Sequence, residues 1–271
     1  MTLFKSLHEA ARAGDLKRVE ARLAKGPDVD AHDSDGITPL VHAARHGHLD
    51  IAKLLLHHGA EPDLANRKGD TPLMQAAKAG HRQVVKLLLA RSADPDRPNR
   101  RKSTPFLIAC YQGHLSIVKL MADHGAHPDQ ASGKGRTALF VAVEKGRIDV
   151  AKFLLDKRVD VNRMSDDKLT PLMLATQLGD PEMSRLLITH GANVNAASPG
   201  GVSALMIAAQ QGHLESAMLL LDSGADVQQV YNHNTFAWEV AAQNGHNKLS
   251  SILREFEEGN LPPVKQQASQ D

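Results

Sequence analysis

The sequence predicts an all-α solenoid of stacked helix pairs, and three observations support that prediction. The first is a period of 33 residues that runs through the chain of 271 residues without an insertion or a deletion. Such a period is typical of a solenoid, in which each repeat is too small to bury its own apolar face and stacks on its neighbours. The other two are a glycine column (Gly14, Gly47, Gly80, Gly113, Gly146, Gly179, Gly212 and Gly245) and an alanine column (Ala10, Ala43, Ala76, Ala109, Ala142, Ala175, Ala208 and Ala241).

We therefore expect one domain over residues 3–258 and a tail over 259–271, which we expect to be disordered because it carries little apolar content. The first and last repeats depart from the pattern, as terminal caps do. The eight repeats are 3–35 (N-terminal cap), 36–68, 69–101, 102–134, 135–167, 168–200, 201–233 and 234–258 (C-terminal cap).

The second repeat shows how its residues predict two helices. Thr38 followed by Pro39 marks a helix start, because threonine caps free amides and proline fits the first helical position. Gly47 ends this first helix, and Gly59 ends the second, since the residue after a helix often adopts a left-handed backbone. Residues 60–69 then form a loop or hairpin that leads to the next repeat.

The pattern TPL-x-x-AA-x-x-GH, followed by LLL-x-x-GA-x-x-D, closely resembles the ankyrin repeat. TPL recurs at 38–40, 71–73 and 170–172, and Gly-His recurs at five of the eight glycines. The resemblance implies a right-angled stack of helix pairs, with hairpin fingers projecting from one edge to form a concave binding surface. It also implies a protein-binding module.

Several other classes of function find no support in the sequence. There is no Gly-x-Ser-x-Gly motif, no glycine loop for phosphates and no carboxylate pair outside the repeat register, so we expect no enzyme and no cofactor. Cys110 is the only cysteine and is expected to be a buried, inert thiol. The N-terminus is charged and already follows the repeat, and no apolar run is long enough for a membrane span. We expect a monomeric cytoplasmic protein, with nuclear entry left open.

Three polar features carry structural expectations. The histidines that follow the recurrent glycine are expected to hydrogen-bond in the helix linker rather than bind metal. The column Asp30, Asp63, Asp96, Asp129, Asn162, Asn195 and Gln228 is expected to stabilise local turns. His42 and Gln75 share a column that is otherwise apolar, so both are expected to be buried and to hydrogen-bond each other.

Columns that vary between repeats are the candidates for partner binding, because the recurrent columns build the scaffold. In ankyrin-like proteins the fingertip positions and the two positions before each recurrent glycine usually line the concave face. Tyr111 beside Arg100 and Arg101 combines an aromatic ring with arginine, a frequent interface anchor. The candidate residues are Arg45, Arg67, Lys68, Lys78, Arg100, Arg101, Tyr111, Gln112, Lys134, Arg136 and Lys145.

The charge distribution predicts the chemistry of the partner. Residues 69–167 carry seventeen basic and eleven acidic residues, whereas residues 168–271 carry five basic and ten acidic ones, although the whole chain has a net charge of only +1. Such asymmetry steers a partner of complementary charge. We therefore expect binding to another protein with an acidic surface. Nucleic-acid binding through the basic repeats is the alternative; Asp166 and Asp167 interrupt the basic stripe, and it lacks interleaved aromatic residues.

Overall fold

The computed structural model describes residues 6–231 and 234–259, and these residues form sixteen α-helices and no β-strand beyond two isolated bridges. The predicted all-α fold is confirmed. The expected disorder of the tail concerns residues that lie outside the described ones, apart from Gly259. The helices are α1 (Leu7–Ala13), α2 (Leu16–Leu23), α3 (Pro39–His46), α4 (Leu49–His57), α5 (Pro72–Ala79), α6 (Arg82–Leu89), α7 (Pro105–Gln112), α8 (Leu115–Asp123), α9 (Ala138–Glu144), α10 (Ile148–Asp156), α11 (Pro171–Gln177), α12 (Pro181–Thr189), α13 (Ala204–Gln211), α14 (Leu214–Asp222), α15 (Ala237–Gln243) and α16 (Asn247–Glu257).

The chain contains two compact units, which we call the N-terminal half (Met1–Gly133) and the C-terminal half (Lys134–Asp271). Within the N-terminal half, α1, α3, α5 and α7 pack side by side in chain order, and each contacts its own following helix. Within the C-terminal half, α9, α11, α13 and α15 do the same. The single domain over 3–258 stays a prediction.

Small residues let the first helices of successive repeats approach closely. Ala43, Ala44, Ala76 and Ala77 are completely buried. The second helices contribute the larger core side chains, such as the fully buried Leu55. Because protein cores are close-packed, truncating such a leucine to alanine costs about 2–5 kcal/mol.

The first helix of each repeat begins as the sequence predicts. Thr38 has an extended backbone, and its hydroxyl accepts a hydrogen bond from the Val41 amide at 3.3 Å, while Pro39 occupies the first helical position. The same cap recurs at Ser6, Thr71, Thr104, Thr137, Thr170 and Ser203. In the last repeat Phe236 takes this place, and there the Glu239 carboxylate accepts from the Phe236 amide at 2.9 Å.

The recurrent glycine and the recurrent histidine form one contact between neighbouring repeats. Gly47 has φ of 75°, and a Cβ there would lie 2.6 Å from the His81 ring of the next repeat. His81 Nε2 in turn hydrogen-bonds the Arg45 carbonyl at 3.1 Å. Equivalent bonds to the preceding repeat are made by His48, His213 and His246. The predicted hydrogen-bonding role is therefore confirmed for these four histidines.

The aspartate and asparagine column has a different role from the one predicted. Asp63 accepts the Asp94 amide of the following repeat at 3.0 Å, and Asp30, Asp96, Asn162 and Asn195 make the same inter-repeat bond. The local turn is instead stabilised by the residue two positions before the column: Asp94 Oδ1, for example, accepts the Asp96 amide at 2.8 Å. For these five residues the prediction of local turn bonds was wrong, because the sequence does not show that neighbouring fingers lie within hydrogen-bonding distance of one another.

Cys110 is completely buried, as expected, and burial raises its pKa far above the usual thiol value. Since the thiolate is the reactive form, this cysteine is inert.

Two helix ends carry a left-handed residue that is not glycine. The repeat alignment puts Ser92 and Arg158 where other repeats have the helix-ending glycine, which predicts a left-handed backbone at both positions, and both have φ of 61°. Lys102 and Lys168 have φ of 56° and 62° at a fingertip position where Gly36 and Gly69 stand in other repeats, which the sequence analysis did not predict.

We expect Arg158→Gly to stabilise the protein by about 1 kcal/mol, because a left-handed backbone costs a residue with a Cβ about that much. Thermal unfolding should show the higher melting temperature. Lys157→Gly is the matched control, since Lys157 has φ of −82° and should lose stability on substitution. An Arg158→Gly variant that melts at or below the wild-type temperature would contradict this account.

Candidate functional site

Two asparagines shape the fingertips of the N-terminal half. Asn66 Oδ1 accepts the amides of Lys68 at 2.8 Å and Asp70 at 3.0 Å. Asn99 Oδ1 accepts the equivalent amides of Arg101 and Ser103 at 2.9 and 3.0 Å. Each tip is thereby closed by its own side chain, since asparagine stabilises tight turns.

The two tips are also joined to each other. The Arg100 amide donates to the Lys68 carbonyl at 3.1 Å, so the backbones of neighbouring fingers are in direct contact. A Cβ on Gly69 would lie 3.0 Å from the Arg100 amide nitrogen. This contact uses backbone atoms, so the side chains of Arg100 and Arg101 take no part in it. Both arginines are exposed.

A groove of about 630 Å³ lies between these fingertips and the helices α5 and α7. We call it the basic groove, because its lining carries five basic side chains and one carboxylate. Met74 and Ile108 supply apolar floor. The lining residues are Arg67, Lys68, Asp70, Met74, Gln75, Lys78, Asn99, Arg100, Arg101, Ser103, Ile108, Tyr111 and Gln112.

The carboxylate of Asp70 is held by two amide side chains. Asn99 Nδ2 donates to Oδ1 at 2.8 Å, and Gln75 Nε2 donates to Oδ2 at 3.1 Å. Gln75 Oε1 then accepts from Arg45 Nε at 3.0 Å. Because both oxygens of Asp70 are engaged, this residue connects finger and helix, and the exposed charge of the groove is dominated by its cations.

The predicted hydrogen bond between His42 and Gln75 is not observed, although both side chains are buried as expected. Gln75 bonds Asp70 and Arg45, as described above. His42 Nε2 instead donates to Asp33 Oδ2 at 2.8 Å. The prediction was wrong because each of these side chains bonds an aspartate of a neighbouring finger, Asp33 for His42 and Asp70 for Gln75. Membership of one sequence column does not show which side chains lie within hydrogen-bonding distance.

Burial lowers the pKa of His42 although Asp33 acts in the opposite direction, and the charges of His8 and Arg45 add to the lowering. Since a carboxylate only accepts, His42 carries its proton on Nε2, and a second proton would go on Nδ1. That nitrogen is buried and has no partner among the described residues. Burial alone would raise the pKa of Asp33, but the hydrogen bonds from His42, Ile37 and Asp35 lower it.

The structure places the sequence-predicted residues in three groups. The basic groove brings together Arg67, Lys68, Lys78, Arg100, Arg101, Tyr111 and Gln112. Arg45 is not part of the groove lining; it is half-buried and donates to Gln75, which is. Lys134, Arg136 and Lys145 belong to the C-terminal half.

Arg136 is held by two carboxylates of its own half. Its guanidinium contacts Glu144 at 3.0 Å and Asp167 at 3.2 Å, and its side chain is only 25% exposed. It also lies 5.6 Å from the Phe140 ring centroid. Two carboxylates inside the chain therefore balance its charge.

Sequence reasoning missed the floor of the groove and its polar support. Ile108 lies in the column that was expected to face the interior, and neither Met74 nor Asp70 was selected. One signal could have located the tips: an asparagine, Asn66 or Asn99, stands directly before the basic pair of each tip.

Within residues 6–231 and 234–259, no three His, Cys, Asp or Glu side chains converge as metal ligands. No helix in the same part of the chain is long and apolar enough to cross a membrane.

The fold and the groove define a class of protein in which stacked helix pairs present a polar groove beside their hairpin tips. The chain belongs to the ankyrin-repeat family: the family profile described as ankyrin repeats (3 copies) matches residues 7–99, 91–165 and 157–231. Ankyrin repeats are in general protein–protein interaction modules and are typically not enzymes.

Two solved structures are similar over most of this chain. The human ASB11 ankyrin repeat domain has a TM-score of 0.73 and 28% sequence identity, covering 82% of this chain and 99% of that domain. The ankyrin repeat domain of Bcl-3, described as a unique member of the IkappaB protein family, has a TM-score of 0.73 and 31% identity, covering 82% of this chain and 100% of that chain. No curated protein matches the chain.

The buried His42 predicts a loss of stability in mild acid. As the pH falls through about 6.5, the ordinary histidine pKa, the unfolded chain binds a proton at this residue while the folded chain does not. The unfolded state then gains protons that the folded state lacks, so the free energy of unfolding falls. Between about pH 7.5 and about pH 5.5, we expect the melting temperature of His42→Ile to fall less than that of the wild type.

His42→Gln is the control for packing, because it keeps a donor towards Asp33 but does not titrate. Both variants should lose the same part of the pH dependence, whatever their stability at neutral pH. The account would be wrong if His42→Ile kept the full wild-type slope.

Proposed function

We propose that this protein is a non-catalytic binding module whose basic groove, on the concave face implied by its family, holds an acidic segment of a partner protein. The observation that carries the proposal is the set of five basic side chains around one groove with a single, already engaged carboxylate. The module acts as an adaptor, an inhibitor or a coregulator. We propose it as a monomeric single domain over residues 3–258 that works in the cytoplasm, with nuclear entry left open.

The chemistry of the groove favours carboxylates over other ligands. Arginine offers a planar fork that binds a carboxylate through two parallel hydrogen bonds, and three of the five cations are arginines. Charges separated by about one Debye length, about 8 Å at physiological salt, act together on an approaching partner. Lys68 and Arg100 share a backbone hydrogen bond, so these two cations extend from adjacent points of the two neighbouring fingertips.

The apolar parts of the groove favour a peptide over a simple polyanion. Met74 and Ile108 lie on its floor, and Tyr111 is 40% exposed at its rim. A partly exposed tyrosine beside arginines is a frequent anchor in protein interfaces. The preferred occupant is therefore an acidic segment that also carries an apolar side chain.

Reversing two charges at one fingertip tests this proposal. We expect Arg100→Glu combined with Arg101→Glu to weaken binding of a labelled acidic peptide at least about tenfold, mainly through slower association. The melting temperature should hardly change, because exposed charges add little stability and the tip contact uses backbone atoms. Fluorescence anisotropy measures the affinity, and stopped-flow mixing at two salt concentrations measures the association rate.

The matched control is Arg82→Glu combined with Lys86→Glu. Both side chains are exposed on α6 and lie outside the groove lining, so the net charge changes equally. Equal affinity of the Arg100→Glu/Arg101→Glu variant and the wild type for every acidic probe would reject the basic groove as the binding site.

Nucleic-acid binding, the alternative function, is an outcome of the same assay. The protein partner would be replaced in this proposal if a labelled single-stranded RNA or DNA bound more tightly than the acidic peptide and if the fingertip reversal abolished that binding.

A further inference from the structure

The C-terminal half contains a second groove, of about 360 Å³, that repeats the position of the basic groove four repeats later in the chain. Its lining includes Val202, Met206, Gln210, Tyr231, Val240 and Gln243. Each of these residues occupies the same place in its repeat as a lining residue of the basic groove. We call it the neutral groove, because no charged side chain lines it among residues 6–231 and 234–259.

Equivalent lining residues differ in polarity between the two grooves, whereas the floor is apolar in both. Met206 and Val240 stand where the basic groove has Met74 and Ile108, so the apolar floor is retained. The cation of Lys78 becomes the amide Gln210.

The polar support of the basic groove is also replaced. Val202 stands in place of Asp70, and Tyr231 in place of Asn99. The carboxylate and the amide that joined finger to helix thus become an aliphatic side chain and a ring. The neighbouring Val230 is 38% exposed, which extends the apolar surface beyond the groove.

We propose that the neutral groove binds an extended, uncharged segment of a partner protein and takes up one large apolar side chain of that segment. A charged segment is disfavoured, because it would lose hydration against Val202, Met206 and Tyr231 without gaining a counter-charge. The volume lies at the small end of the range for ligand pockets, about 300–1,000 Å³, which suits a single aromatic or aliphatic anchor.

The amide side chains of the rim fit the backbone of such a segment. Gln210 and Gln243 are exposed and each offers both a donor and an acceptor. Peptide groups also need one of each, so two amides along the groove can pair with an extended backbone without selecting any charge. The apolar anchor then provides selectivity, and the amides provide orientation.

Selection of short random peptides on the full chain tests the proposal. Performed at about 0.5 M salt, where screening suppresses binding driven by charge, the selection should enrich uncharged peptides with one aromatic or large aliphatic residue. A synthetic copy of an enriched peptide should bind, and replacing its apolar anchor by serine should abolish binding. Enrichment of acidic peptides, or of none, would overturn the proposal.

Variants of the chain locate the site. Val202→Glu should weaken binding of the synthetic peptide at least about tenfold. Leu178→Glu should have no effect, since Leu178 is 52% exposed in the same half but outside the groove. Gln210→Glu combined with Gln243→Glu is the second variant, because both positions are exposed and fold stability is not at risk. Wild-type affinity in both groove variants would overturn the proposal.

The fingertip reversal Arg100→Glu/Arg101→Glu should leave this binding unchanged. That result separates the neutral groove from the basic one, so either proposal can fail without the other. If the fingertip variant no longer bound the uncharged peptide, that binding would belong to the basic groove, and the proposed neutral site would be refuted.

Discussion

Contact between one repeat and the next is the interaction on which the rest of each half depends. A histidine ring lies against the glycine that ends the first helix of the preceding repeat, as His81 does at Gly47, and bonds a carbonyl of the same helix. A Cβ on that glycine would overlap the ring. The left-handed backbone needed to end the helix and the space needed by the neighbour are thus met by the same residue.

A second set of contacts repeats along the fingers. A carboxylate or amide oxygen in one finger accepts an amide of the following finger, as Asp63 does from Asp94. Because each repeat contacts only its neighbours, stability of such a protein is close to a sum of repeat and interface contributions. Substitutions at the inter-repeat positions are therefore costly, whereas fingertip side chains that point away from them vary at little cost. The side chains proposed to bind a partner belong to this second group.

The two grooves show what that freedom allows. The apolar floor of Met74 and Ile108 has its counterpart in Met206 and Val240, so the scaffold forms the same depression in each half. Among the residues that the structure describes, the surrounding side chains are mostly basic in one groove and uncharged in the other. A single fold can thus carry sites of different selectivity, because the backbone bonds that shape the fingers do not use the side chains that line the groove.

The sequence by itself determined the repeat period, the helix caps, the left-handed ends at Ser92 and Arg158, and the fingertip arginines. All of these follow from local rules or from recurrence at a fixed spacing. Only the tertiary structure decided which polar groups meet across repeats: His42 bonds Asp33, Gln75 bonds Asp70, and the aspartate column bridges fingers. A repeat pattern shows which residues are equivalent, but hydrogen-bond partners depend on how far one finger lies from the next, and that distance is set by packing.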